Sequence, residues 1–180
     1  DRVQYPYFSI LGAATTNGGV AMTNDMQVTM NRGIFRTLSR GVLGYELSNS
    51  PPAVYSGNFT LNGSDTDNFF IIEHQTYANA GYNNTSAVRQ TVFTGQFTGD
   101  GGFTKMGTGE MLFTTNNEFT GTVNSNRGFD SGRGRWGGVG LRENGTFSGV
   151  SQVTLNRDGQ LVLDDSAVNL SNRVNDAAPI

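Results

Sequence analysis

Apolar residues in this chain fall in short alternating runs, each closed by Gly, Asn or Asp. They lie at 20–22, 27–30, 59–61, 69–72, 92–97, 111–113, 139–141, 153–155 and 161–163. A period of two predicts β-strands, and no segment carries the 3.6-residue stripe of an amphipathic helix. Strands this short bury little area singly, so they must stack as a sandwich, a barrel or a solenoid.

Two segments discriminate among these. The runs 101–123 and 145–166 both contain a Gly-x-apolar-x-apolar unit, Gly109 to Phe113 and Gly159 to Leu163, offset by 50 residues. A looser copy, Gly138-Val139-Gly140-Leu141, lies between them. Self-similarity on this scale marks stacked repeats. The solenoid reading places Met111, Phe113, Val153, Leu155, Leu161 and Leu163 inside, with Gly and Asn turning the corners at positive φ.

Composition agrees. The 180 residues include 25 Gly, 19 Asn, 20 Thr and 13 Ser, a mixture rich in turn and strand formers. Only 15% are charged, and 12 Phe with 6 Tyr supply an interior, which argues against disorder. A net charge of −3 gives no general attraction to nucleic acid or anionic membrane. Cysteine is absent, which removes disulfides, thiolate metal sites and a Cys nucleophile. No apolar stretch approaches the roughly 20 residues of a transmembrane helix. The chain opens at Asp1 without a signal segment, and reads as a processed product or an interior piece of something longer.

The run Gly102, Thr104, Lys105, Gly107, Gly109, Asn117, Thr120, Gly121 and Val123, with Phe103, Met111, Phe113 and Phe119 at apolar positions, resembles the autotransporter-associated β-strand repeat, also called the passenger-associated transport repeat. Glu110 and Glu118 depart from its usual Thr. Gly159–Ser166 and Asn169–Asp176 are similar to the rung that often follows in long bacterial surface proteins of this type. The resemblance covers residues 91–180, and residues 1–90 share the texture without a clean motif. It implies a right-handed parallel β-helix, exported and displayed outside the cell.

Candidate chemistry is sparse. His74 is the only histidine, which leaves a catalytic triad or a His-based zinc site without partners. Asp65-Thr66-Asp67-Asn68 alternates oxygen ligands like a calcium loop but lacks the Gly and the distant Glu of an EF-hand. Asp164-Asp165 are neighbours at a strand end, so they point to opposite sides and make a poor acid/base couple. Arg127, Arg133, Arg135 and Arg142 flank Trp136 in or beside a Gly-rich excursion, 127–138, whose cations and indole can stack on sugars or bases. Arg133, Arg135 and Trp136 are the expected ligand-facing residues, with carbohydrate the ligand class. Asn58, Asn62, Asn83, Asn84, Asn144 and Asn169 head glycosylation sequons.

The expectation is therefore an all-β chain, a right-handed parallel β-helix segment, with a β-sandwich fibre subunit as the other architecture. Residues 1–90 are a Gly/Asn/Thr-rich β segment and 91–180 a β-helix repeat segment. The expected role is a structural, extracellular or cell-surface scaffold in adhesion, matrix or filaments, of bacterial origin. It has no catalytic residues, metal or cofactor, no specific nucleic acid and no transmembrane segment. A polysaccharide-binding or polysaccharide-degrading β-helix is the other reading. Open strand edges at Leu161 to Ile180 predict head-to-tail self-association, or continuation of a parent chain.

Overall fold

Alternation of inward and outward side chains recurs in the computed structural model, which describes residues 7–13, 23–40, 53–75, 90–107, 109–126, 137–156 and 159–180. In chain order the strands are β1 (Tyr7–Ala13), β2 (Thr23–Asn24), β3 (Val28–Met30), β4 (Gly33–Arg40), β5 (Ala53–Tyr55), β6 (Phe59–Leu61), β7 (Asn68–Gln75), β8 (Gln90–Phe93) and β9 (Phe97–Thr98). They continue as β10 (Phe103–Met106), β11 (Glu110–Phe113), β12 (Asn116–Asn117), β13 (Thr122–Asn126), β14 (Val139–Arg142), β15 (Thr146–Phe147), β16 (Gln152–Asn156) and β17 (Leu161–Asp164). The described residues contain no helix.

Every third strand pairs. One sheet runs β1-β4-β7-β10-β13-β16, a second β2-β5-β8-β11-β14-β17, and the third side is made of β3-β6-β9 and β12-β15. All of these pairings are parallel. The chain is thus all-β, built of stacked parallel sheets whose strands follow a three-sided circuit, an arrangement compatible with a β-helix. Parallel pairing in register puts like positions in columns about 4.8 Å apart. Tyr55, Phe93, Phe113, Leu141 and Leu163 form one inward column of the second sheet. Phe59 stacks on Phe97 with ring centroids 4.4 Å apart on the third side. Phe35, Phe70, Phe103, Phe119 and Phe147 complete a fully enclosed aromatic core.

The three Gly-x-apolar-x-apolar copies are successive rungs of the second sheet. Met111 pairs with Val139 and Val139 with Leu161. The 50-residue offset is two turns of unequal length, 28 residues from 111 to 139 and 22 from 139 to 161, so no fixed period exists. The run 92–97, read as one strand, is two: β8 and β9 meet at a corner over 94–96.

Position along the stack corrects the expected core. Met111, Phe113 and Val153 are enclosed, and Leu161 is partly buried against the core. Leu155 and Leu163, however, are 44% and 51% exposed. Both stand in inward columns, over Ser125 and Leu141, but in the last strands of their sheets, where no further rung covers them among the described residues. Part of a seventh turn follows. Phe147 bridges Val174, and the Val153 N–H donates to Pro179 O at 3.0 Å.

Connection lengths are lopsided. Around the third side the strands are joined by two to six residues. Between the first sheet and the second, residues 41–52, 76–89 and 127–138 intervene, against only 107–109 and 157–160 in other turns.

Candidate functional site

The corner where those long connections fall contains Lys105, the one buried cation of the first sheet among the described side chains. Lys105 occupies the column of Phe35, Phe70 and Ser125, and its side chain is wholly enclosed. Its Nζ donates to Gly107 O at 2.8 Å and to Gly137 O at 2.5 Å, so it ties its own corner to the residue leading into β14. Gly107 can turn there because it lacks a side chain: its φ is +86°, and a Cβ would stand 2.3 Å from Ile72 O. Burial pulls the Lys105 ammonium down to about 7, and the carboxylate of Glu110 partly offsets this. Glu110 is itself buried and accepts from Gln90 Nε2 at 2.6 Å. An amine so placed has no solvent access and is committed to carbonyls, so it acts as an internal tether rather than a nucleophile.

Arg173 is the matching device near the end of the stack. Only 3% exposed, it donates to Asp165 and to the carbonyls of Glu143, Gly145, Asp164 and Val168. Asp164 is bonded by Arg142 at 2.7 Å. Hydrogen bonds from Ser166, then Arg142, hold its carboxyl at about 2. Each member of the acidic pair therefore has its own arginine.

Oxygens of Asp65, Thr66 and Asp67 are engaged within the fold, whereas Asn68 Oδ1 is buried without a hydrogen-bond partner among the described residues. Asp67 accepts from Ser64 N at 3.2 Å and Ser64 Oγ at 2.8 Å and pairs with Arg32 at 3.1 Å. Asp65 takes the amide of Asn124, and its carbonyl takes the Thr104 hydroxyl. Asn68 points inward and donates to Asn62 O and Gly102 O. This is a turn held by Asx bonds.

His74 lies in β7 opposite Ser39, and its side chain is outside the described ones. Arg127, Arg133, Arg135 and Trp136 lie outside the described residues, as do Asn83 and Asn84. Asn144 and Asn169 are exposed. Asn58 and Asn62 belong to polar ladders between rungs: the Gln96 N–H donates to Asn58 Oδ1 at 2.8 Å, and Asn62 Nδ2 donates to Asn31 at 2.8 Å.

The sequence reading missed Lys105, Asn117 and Arg173 as enclosed polar residues. Asn117 substitutes for backbone at a corner, accepting from Phe97 N at 2.9 Å and donating to Thr115 O and Thr146 O. Comparison of the chain with family models, with curated proteins and with solved structures finds no match.

Proposed function

We propose that this chain is a right-handed parallel β-helix segment of the passenger-associated transport repeat type, serving as an extended scaffold outside a bacterial cell. Its task is reach and rigidity for adhesion, matrix or filament assembly. The observation that carries the reading is the uninterrupted column from Tyr55 to Leu163, repeated rung on rung and ending in exposed leucines. Exclusively parallel pairing favours this architecture over a sandwich of antiparallel sheets. The polar interior supports it too, since Lys105, Asn117 and Arg173 tie backbone carbonyls across successive turns.

The exposed side chains at this end of the stack would be covered by a continuation of a parent chain or by a second copy. Leu155, Val162, Leu163 and Ile180 are exposed apolar side chains at this end, where β17 is an edge strand among the described residues and β16 is paired beyond only through Val153. A second copy adding its own parallel strands there would cover them and prolong the rod, and such a contact, not closing into a ring, propagates. Sedimentation velocity across a hundredfold concentration range, followed by electron microscopy, tests this. Concentration-dependent elongated species are expected, and substitution of Leu155 and Leu163 by Lys should suppress them. A strictly monomeric, compact particle at every concentration would overturn the assembly.

A further inference from the structure

The side of the stack away from the long connections carries an unusually regular outer surface. Each strand there presents two outward residues separated by one inward residue. The rows are Gln27 and Thr29, Asn58 and Thr60, Gln96 and Thr98, Asn116 and Glu118, Thr146 and Ser148. Pairing of β3 with β6, β6 with β9 and β12 with β15 aligns them into an amide column that ends in Thr146 and a hydroxyl column interrupted by Glu118. The Glu118 N–H bond to Phe97 O, 2.8 Å, joins the two parts. None of the ten is buried, and Glu118 is the only one with a charge.

The amide column is internally braced. The Asn58 N–H donates to Gln27 Oε1 at 3.2 Å, and the Gln96 N–H to Asn58 Oδ1. Asn116 Oδ1 accepts from the Thr146 and Ser148 hydroxyls. This bracing fixes the side chains before any ligand arrives, while the Asn58 NH2, the Gln96 amide and the Thr29 and Thr60 hydroxyls keep unspent hydrogen-bonding capacity among the described residues. Spacings follow from the backbone: about 4.8 Å from rung to rung and roughly 6.8 Å between columns. Connections flanking β3, β6, β9, β12 and β15 are at most six residues, so the described chain leaves this face flat.

We propose that this polar stripe is a binding surface for a neutral, hydroxyl-rich polysaccharide lying along the stack. Alternating amides and hydroxyls offer donors and acceptors at regular intervals, which a polymer of sugar hydroxyls can meet repeatedly. Phosphate-bearing polymers find no cation on the stripe, and a lipid or protein partner finds no apolar or aromatic anchor. Each contact is weak, and affinity comes from repetition along one polymer. The inference requires only the stacked strands, and does not rest on head-to-tail assembly or on residues 127–138.

Affinity electrophoresis of the whole chain through gels containing β-glucan, xylan, glucomannan or galactomannan tests it, with polygalacturonate as the anionic control. Retardation by at least one neutral polymer is expected, with little dependence on salt. Replacing Thr29, Thr60 and Thr98 together by Val keeps shape and strand propensity while deleting three hydroxyls, and should weaken binding about tenfold or more. Circular dichroism checks the fold of this variant, and single Thr60→Lys serves as a second probe. No retardation by any neutral polymer, retardation unaltered by both variants, or retardation only by polygalacturonate would each overturn the proposal. None of these outcomes bears on end-to-end polymerisation, which the leucine variants report separately.

Discussion

A lysine stripped of water and a tyrosine enclosed elsewhere in the stack give this protein a characteristic response to alkali. Lys105 has its ammonium lowered to about 7 by burial, against 10.5 when unfolded. Between these values the unfolded chain binds more protons than the folded one, so stability rises with pH across that window. Tyr55, whose hydroxyl donates to Met26 O at 2.8 Å, has its phenol raised to about 12 by burial and by the charge of Asp25. Its contribution is present below pH 10 and is lost as pH rises through 12. Urea midpoints should therefore climb from pH 7 to about 10 and then fall. Lys105→Met should flatten the rise and leave the fall. Arg173→Met strands four carbonyls and Asp165 and should cost about 3 kcal/mol, with faster proteolysis of 166–180. Arg173→Lys should recover little of this, because a point charge cannot reproduce the planar fork.

At the scale of strands, enclosure depends on neighbours above and below as much as on residue type. Phe97 lies between Phe59 and Phe113, 4.4 Å and 4.9 Å away. Phe97→Ala should cost about 3–5 kcal/mol in denaturant unfolding. Leu163→Ala should change monomer stability by no more than about 0.5 kcal/mol, because that column has no rung beyond it. This contrast explains what was legible in the residues. Alternation marked β6, β11 and β14 correctly, and marked β16 and β17 at the end of the stack as well. It could not distinguish Leu141 from Leu163, which differ only in what lies beyond them. Lys105 was legible in principle: it is two residues after Phe103, hence on the same face. Its charge argued for the surface, and only the carbonyls of Gly107 and Gly137, brought together by the turn, explain its burial. Two-residue strands such as β9 and β12 give no periodic signal of their own.

Across the whole molecule, the lopsided connections divide the stack of strands into one edge where length is free and two sides where it is fixed. A rung has the same cross-section whether 14 residues join its sheets, as at 76–89, or three, as at 107–109. Doubling such a connection costs only about 0.6 kcal/mol in closure entropy. A foreign peptide grafted in place of 76–89 should therefore leave the urea midpoint nearly unchanged. Two extra glycines between Thr114 and Thr115, where β11 turns into β12, should slip β12 against its neighbours and lower the midpoint sharply. Lys105 stands at that free edge and fastens Gly137 as the chain returns, so the edge can vary without loosening the rungs. Residues can therefore be exchanged along that margin while the phenylalanine columns beneath keep their packing.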